Sequence, residues 1–126
     1  GLIHTTNISS VTNVTILLTG TFLSLKTGVG PKLTISSGAV TATNDIHTVD
    51  TQSDAASADL TTINGGQIGD RLMITVADIA RTIVAKDGMG NLTLGADRVL
   101  NAIGDTLVLL KHADGKWHQI AFSSVT

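Results

Sequence analysis

The chain has 126 residues, enough for one domain, with 42% hydrophobic residues, 14% charged residues and a formal net charge of −2. This balance excludes the basic surface that nucleic acids and anionic membranes attract, and no apolar run is long enough to span a membrane, so we expect neither partner. Ordinary globular domains carry about 25% charged residues, so we expect other subunits to cover much of this surface. The absence of Cys excludes disulfides and thiolate chemistry.

Residues 1–31 are predicted to form an extended N-terminal arm. Val11–Leu18 and Thr21–Leu25 are strand-prone runs with apolar residues on both faces. Gly28, Gly30 and Pro31 then interrupt the pattern, as a flexible connector would. An exposed strand of this kind aggregates unless a partner covers it, so we expect the arm to contact a neighbouring subunit or another protein. The contact residues predicted in the arm are Val14, Ile16, Leu18, Phe22, Leu23 and Leu25.

Residues 32–126 are predicted to form a β head. Short runs rich in β-branched and aliphatic residues alternate there with Gly, Asn and Asp turns, a pattern typical of antiparallel sandwiches and barrels. Gln52–Asp59 is the most helix-tolerant stretch and suits one or two helical turns. We find no convincing internal repeat. The predicted fold is therefore all-β, a small antiparallel β-sandwich or barrel head preceded by the extended arm.

The C-terminal part of the head predicts a β-hairpin. Asp114 and Gly115 lie between two apolar runs, and an Asp-Gly pair in that position favours a tight turn. In the second run Ile120 and Phe122 share one face, which we expect to face the core. Trp117 lies on the opposite face, where we expect it to cap one end of the barrel or to contact a neighbouring subunit. The two runs are Leu107–Lys111 and Trp117–Phe122.

His47 and Asp50, with several serines nearby, resemble two parts of a hydrolytic triad. Catalysis would also require a nucleophile and an oxyanion site, and the sequence contains no Gly-x-Ser-x-Gly nucleophile elbow. We therefore expect a protein that is not an enzyme. His47 is expected to make a hydrogen bond across a turn or to lie at a subunit contact.

Acidic and histidine side chains indicate no convincing metal site. Four Asp residues between positions 45 and 59 could supply oxygen ligands for Ca²⁺, but their spacing does not match a calcium loop and the chain has no Glu. Turn and capping roles explain them instead. His112 and His118 could approach each other across the hairpin. Two Gly-x-Gly segments precede no helix, so we interpret them as turns and expect no cofactor. These residues are Asp45, Asp50, Asp54 and Asp59, with Gly28-Val29-Gly30 and Gly88-Met89-Gly90.

A series of short segments follows in order through the head: Ala39–Thr41, Ile46–Thr51, Asp59–Gly66, Gly69-Asp70, Ala80–Gly88, Gly90–Leu92, Asp105–Leu107 and Asp114–Trp117. In this order they resemble a β-domain of tailed-bacteriophage virion proteins, which occurs in head-decoration or cement proteins and at the ends of tail fibres. The resemblance covers residues 33–122 and implies a trimeric, non-enzymatic β structure. The chain departs from it after Trp117, where related fibre ends often carry an acidic residue and this chain has His118.

We therefore predict a homotrimeric capsid decoration or cement protein that stabilises the virion head, with the major capsid protein or another virion protein as its partner. The chain shows neither the heptads nor the long repeat of a fibre shaft, and Gly1 would fit removal of an initiator Met from a complete short protein. The alternative is the receptor-binding terminal domain of a tail fibre. Aromatic residues form only 2% of the chain, which disfavours a sugar-reading tip. An enzyme such as a depolymerase or esterase ranks third.

Overall fold

The structure is a computed structural model that describes residues 24–125. Within this range the chain is all-β, as predicted, and its only helical element is a 3-10 turn at Gln52–Asp54. The strands are β1 (Lys26–Val29), β2 (Leu33–Thr34), β3 (Ala39–Thr41), β4 (Asn44–Asp50), β5 (Ser57–Leu60), β6 (Thr62–Asn64), β7 (Arg71–Val76), β8 (Thr82–Ala85), β9 (Leu92–Thr93), β10 (Arg98–Leu100), β11 (Thr106–Lys111) and β12 (Trp117–Ser123).

Strands β3 to β8 form two successive coils in a β-solenoid-like arrangement. β3, β4 and β5 make the first coil, and each runs parallel to its counterpart in the second coil, β6, β7 or β8. The registers place Val40 opposite Ile63 and His47 opposite Ile74. The coils are a structural repeat that the sequence did not reveal. Residues at paired positions of the two coils are similarly buried but often differ in type.

After β8 the chain changes direction. β10 runs antiparallel to β8, β11 runs antiparallel to β7, and β12 pairs antiparallel with β11 and parallel with β9. The largest sheet has the order β1-β4-β7-β11-β12-β9, with β2 beside β4. The predicted antiparallel pairing therefore holds for β7, β11, β12 and for β8 with β10, and it fails for the coils. Parallel partners are joined by a whole coil of chain, and a pattern of short apolar runs does not reveal that connection.

The core lies inside the coils and continues under the antiparallel strands. Side chains from stacked strands meet there in rows, such as Val40 on Ile63 and Leu72 beside Leu109. Each fully buried aliphatic side chain contributes about 1.5–3 kcal/mol to the free energy of folding. The buried apolar residues are Leu33, Ile35, Val40, Ala42, Val49, Leu60, Ile63, Leu72, Ile74, Ile83, Ala85, Leu92, Leu94, Leu100, Leu107, Leu109 and Trp117.

A β-bulge divides β12 into two halves with opposite alternation. The register pairs Val108 with Ala121 but Leu109 with Gln119, which leaves Ile120 as the extra residue. Trp117 is consequently buried in the first half, Phe122 packs against the core in the second, and Ile120 is 51% exposed. The predicted hairpin is confirmed, whereas the core position predicted for Ile120 is wrong because the bulge turns this side chain outward.

Part of the predicted arm belongs to the sheet, because β1 (Lys26–Val29) lies within residues 1–31. β1 runs parallel to β4, with Val29 opposite Ile46, and Leu25 packs against the core. Leu25 therefore has a contact within its own chain. The remaining predicted arm contacts, Val14, Ile16, Leu18, Phe22 and Leu23, lie outside the described residues.

The stretch predicted as helix between residues 52 and 59 forms mostly extended structure. The 3-10 turn ends at Asp54, and β5 begins three residues later. Ser53 and Asp54 have φ values of 54° and 56°, the left-handed region that a continuing helix cannot use. Local Ala content is thus overridden by the pairing of β5 with β8, which buries Leu60 completely.

The Asn91 side chain pairs with the edge of β6 that faces away from β3. Its Oδ1 accepts a hydrogen bond from the Ile63 amide at 2.9 Å, and its Nδ2 donates to the Ile63 carbonyl at 2.8 Å. These two bonds reproduce those that a neighbouring strand would make. The Trp117 amide donates to the Asn91 carbonyl at 2.8 Å, so this one residue links the coils to the hairpin.

The loop between β8 and β9 is a turn, as predicted for Gly88-Met89-Gly90. Gly90 has φ +54°, and a Cβ at this position would overlap the backbone carbonyl of Thr61. Gly88 has φ +74° but faces open space. The loop therefore contacts the corner between β5 and β6 directly through a residue that has no side chain.

Candidate assembly surface

An uncharged surface covers part of the outer face of the largest sheet. Val29, Ile46, Met73, Val108 and Ala121 occupy matched register positions on five adjacent strands, β1, β4, β7, β11 and β12. Because strand residues alternate between faces and the residues flanking Met73 are buried, this set points away from the core. We call it the apolar row. Val29 is 74% exposed and Met73 39% exposed, so the row is open to a partner.

A second row of matched positions runs beside the first and carries only hydroxyl groups. Thr48 lies opposite Thr75, Thr75 opposite Thr106, and Thr106 opposite Ser123. We call this set the hydroxyl row. Neighbouring strands lie about 4.8 Å apart, so both rows extend across the sheet as regular lines. Neither row contains a charged residue.

Charged and titratable groups border these rows on the side away from the hydroxyl row. Arg71 lies opposite Leu110, and Leu110 lies opposite His118. His118 Nε2 is 2.8 Å from Asp114 Oδ2. The Lys116 amide and His118 both hydrogen-bond to the Asp114 carboxyl and lower its pKa. An apolar centre with a charged border is the arrangement found in protein interfaces.

A shallow depression lies at the centre of this surface. It has a volume of about 330 Å³ and is lined by Asp45, Ile46, Arg71, Met73 and Val108, with Leu72 at its base. The Asp45 carboxylate is already engaged, because its Oδ1 accepts a hydrogen bond from the Gly28 amide at 2.8 Å. The depression can therefore receive an apolar side chain from a partner surface.

His47 has a structural position inside the chain. Its Nε2 accepts hydrogen bonds from the Thr43 and Asn44 amides, each at 3.0 Å, so Nδ1 carries the proton and donates to the Pro31 carbonyl at 2.7 Å. Both ring nitrogens are occupied, and the residue is completely buried. The hydrogen bond across a turn is confirmed, and the predicted subunit contact is corrected because no part of His47 reaches the surface of this chain.

Asp50 is held by cations rather than by His47. Arg81 Nη1 lies 2.8 Å from both Asp50 oxygens, and Lys32 Nζ lies 3.1 Å from Oδ2. The hydrogen bond from Arg81 lowers the pKa of Asp50 from 3.8 to about 2, and it outweighs burial, which raises this pKa. Because His47 is bonded to backbone groups and Asp50 to Arg81, the two do not form a catalytic pair.

The structure brings two of the four predicted Asp residues to one guanidinium group. Asp54 Oδ1 lies 2.7 Å from Arg81 Nη2, while Asp50 occupies Nη1. Arg81 is thus the cation that joins these two carboxylates, and the sequence did not indicate it because it lies more than twenty-five residues further along the chain. Asp45 and Asp59 lie elsewhere. Among residues 24–125, no three His, Asp, Glu or Cys side chains are grouped as metal ligands.

The predicted approach of His112 and His118 across the hairpin is observed. Their ring centroids are 4.3 Å apart with the planes tilted by 51°. His118 directs Nε2 to Asp114, as described above. The pair lies at the charged border of the outer face.

Trp117 contacts its own chain on all sides. Its indole Nε1 donates to the Ile63 carbonyl at 3.2 Å, its ring lies against Gly66, and Lys111 Nζ is 5.8 Å from the ring centroid. The side chain is 0% exposed. The predicted contact of Trp117 with a neighbouring subunit is corrected, because the bulge in β12 places this side chain on the inner face. The other predicted role, a cap on one end of a barrel, stays a prediction.

The apolar row contains residues that the sequence analysis did not select, chiefly Met73 and Val108. The signal was present in the alternation of β7, where Met73 and Thr75 share one face and Leu72 and Ile74 the other. The alternation indicates that Leu72 and Ile74 face inward, because Arg71 and Thr75 lie on the other face. It does not show which residues of other strands lie beside Met73, because that depends on the stacking of the coils.

Within the described part of the chain, no helix is both long and apolar enough to cross a membrane. Comparison of the sequence with family models and with curated proteins, and of the fold with solved structures, found no match.

Proposed function

We propose that this protein is a non-enzymatic structural protein of a phage virion, which assembles as a homotrimer and decorates and cements the capsid. The observation that carries the proposal is the outer face of the largest sheet, with its adjacent apolar and hydroxyl rows. Five strands present matched positions there without one charged residue. A protein that leaves such a face in water risks aggregation, so a permanent partner is expected.

The proposed partner at this face is a second copy of the chain. Only 14% of the residues are charged, which is low for a protein that works as a single copy. The apolar row supplies the dry centre of an interface, the hydroxyl row can hydrogen-bond to its counterpart, and Arg71 and His118 form the polar border. Three copies arranged around a common axis would cover this face in each of them.

The virion location rests on the resemblance of residues 33–122 to phage β-domains, together with this assembly surface. In the decoration role, the face of the trimer that remains free contacts the major capsid protein. The alternative is the terminal domain of a tail fibre, which would use the same trimer but contact a host receptor. Electron cryo-microscopy of particles that carry the protein separates the two, because density over capsomers supports decoration and density at the tail end supports a fibre.

The trimer is tested by native mass spectrometry and light scattering of the full chain. We expect a trimer for the wild-type protein and dissociation for Met73→Lys, because this substitution places a charge at the centre of the apolar row. Val99→Lys is the matched control, since Val99 is 41% exposed on β10 in a different sheet. A wild-type protein that is monomeric at micromolar concentration, or equal dissociation by both variants, would contradict the proposal.

A further inference from the structure

A notch lies beside β5, along the edge of this strand that faces away from β8. The chain takes a short path there before β3. The Ile35 amide donates to the Asp50 carbonyl at 2.9 Å, and the Gly38 carbonyl already accepts a hydrogen bond from the Thr61 amide at 2.8 Å. Residues 36 and 37 thus cover the distance that residues 51–60 cover in the next coil. Within residues 24–125, this short path leaves the edge of β5 open.

The open edge presents backbone groups of β5. The Thr82 amide donates to the Ala56 carbonyl, and the Lys86 amide donates to the Leu60 carbonyl. In a parallel pair, alternate residues bond to the same neighbour, so the amides and carbonyls of Ser57 and Asp59 face away from β8. In the described part of the chain, β8 is the only sheet neighbour of β5. Backbone groups in this position accept an added strand.

The notch has room for a second backbone. Its volume is about 620 Å³, and its lining contains no Lys, Arg or Pro, the residues that usually protect an edge strand. Ile35, which is buried, and Ala58, which packs against the core, give it an apolar floor. The four residues of β5 span about 13 Å, so the notch suits about four residues of an extended segment.

The charge of the notch indicates which segment would fit. Asp59 is the only charged residue that lines it, and this residue is exposed. Lys86 interacts with Asp59 electrostatically, but its ammonium is bonded to Asp97 at 2.7 Å. A Lys or Arg opposite Asp59 on an added strand would form a favourable cross-strand pair. The residues on either side of that cation would point toward Ala58, so apolar side chains suit those two positions.

The chain itself offers no good match for this pattern. The sequence contains no Lys or Arg before Lys26. Lys26 begins the edge strand β1, but Gly28 has φ +104° and the register shifts there, so β1 is too irregular to continue a ladder. The other edge strand with a cation is β10, where Arg98 Nε already donates to Gln119 Oε1 at 2.6 Å. A segment of a different protein is therefore the better occupant.

We propose that the notch binds an extended segment of another protein, which adds to β5 as a strand and places a Lys or Arg opposite Asp59. The amides and carbonyls of Ser57 and Asp59 bond to the segment, and its flanking apolar side chains cover Ile35 and Ala58. The proposal goes beyond the trimer proposed above, because β5 lies in a different sheet from the apolar and hydroxyl rows. It gives the protein a second way to hold a neighbour.

A tethered peptide tests this inference in the full chain. Because the chain has no native Cys, Gln52→Cys at one end of the notch can carry the peptide through a single disulfide. The probe is Cys-Gly-Gly-Thr-Val-Lys-Val-Thr, and the matched control has Glu in place of Lys. Tethering gives a high effective concentration, so weak binding becomes measurable. By NMR hydrogen exchange, we expect the Lys peptide to slow the Ser57 and Asp59 amides about 10-fold or more relative to a Cys cap, and the Glu peptide to slow them less.

Two further variants separate the backbone bonds from the charge. Ser57→Pro removes an amide that faces the notch and no bond to β8, and Pro is tolerated at such an edge position. We expect it to abolish the slowing at Asp59 while the melting temperature stays close to that of the wild type. In Asp59→Asn, we expect the Lys and Glu peptides to slow exchange equally.

The outcomes that would overturn the proposal are distinct. One is no slowing by the Lys peptide, and another is equal slowing by both peptides when Asp59 is intact. A third is slow exchange of the Ser57 and Asp59 amides without any peptide. If that slow exchange is independent of protein concentration, the chain itself fills the notch, and if it depends on concentration, a second copy does. Native mass spectra of the same samples report the trimer separately, so either proposal can fail alone.

Discussion

The coils β3–β8 and the hairpin β11–β12 bury similar aliphatic residues but are connected in different ways. In the coils, Val40 meets Ile63 only after the chain has passed around two other faces. In the hairpin, Lys111 and Trp117 are opposite each other across one short turn. Contacts between residues that are distant along the chain depend on every corner between them, whereas hairpin contacts form locally. In the coils, substitutions at the corners should therefore lower the free energy of unfolding most. In the hairpin, the same is expected of the few residues that join it to the coils.

The largest effect is expected at the junction between the two regions. Trp117→Ala should lower the free energy of unfolding by about 4 kcal/mol, because it leaves a large cavity and removes the hydrogen bond to the Ile63 carbonyl. Urea unfolding followed by circular dichroism measures this change. Ile120→Ala, in the same strand but exposed at the bulge, should cost less than about 1 kcal/mol. Equal losses in the two variants would show that β12 does not join the coils through Trp117.

A corner of the coils should be nearly as sensitive. Gly90→Ala should lower the free energy of unfolding by about 3 kcal/mol, because the new Cβ overlaps the Thr61 carbonyl and the residue has a left-handed φ. Gly88→Ala shares the left-handed φ but has open space, so about 1 kcal/mol is expected. Thermal unfolding of both variants separates backbone strain from steric contact. Similar melting temperatures for the two would mean that the corner yields to accommodate the methyl group.

The comparison also shows what the sequence can and cannot reveal. The hairpin was predictable because its signal, Asp114-Gly115 between two apolar runs, is local. The bulge at Ile120 was not predictable. It allows both Trp117 and Phe122 to face the core, and the need for this is visible only once the sheet is assembled. The parallel pairs of the coils were missed for a similar reason, because no local pattern states which run lies above which.

The candidate surface was partly readable from the residues. Low charge led to the prediction that a partner covers some face, and that face was predicted in the arm and at His47 and Trp117. Both of these residues are buried, and the uncharged rows lie on β1, β4, β7, β11 and β12. Arg71 and Thr75 already indicated the outward side of β7, but the residues of β4 and β11 that lie beside Met73 depend on pairings that no local pattern gives.

The ion pair at Asp50 ties the end of β4 to the next coil, and it should act in a pH-dependent way. Because the pKa of Asp50 is lowered from 3.8 to about 2, its contribution to stability is complete above its ordinary pKa and is lost as the pH falls through about 2. Asp50→Asn should cost about 2 kcal/mol at neutral pH and flatten the fall in stability over this acidic range. Urea unfolding at several pH values measures both. The pKa values of Asp70 and Asp105 are also lowered, so some slope should remain in the variant.

The smallest effect concerns a single side chain that joins the hairpin to a corner. Lys111 Nζ donates to the Gly65 and Gly66 carbonyls at 3.3 and 3.2 Å. Lys111→Met should cost about 1 kcal/mol, because it removes both bonds but retains the aliphatic stem. Lys116→Met, on an exposed residue of the same hairpin, should leave urea unfolding unchanged. A loss confined to Lys116→Met would place the connection in the turn rather than at the corner.

Asn91 has a consequence for how long this structure can grow. Coils of this kind can stack without limit, and the last strand of a stack attracts the first strand of another molecule. Here the Asn91 carboxamide already occupies the Ile63 amide and carbonyl, and the indole of Trp117 adds a second bond to the same carbonyl. No backbone group of Ile63 is left to template a third layer. The Asn91 side chain thus does for β6 what β11 and β10 do for β7 and β8, and together they leave this end of the coils without a free strand on which another molecule could stack.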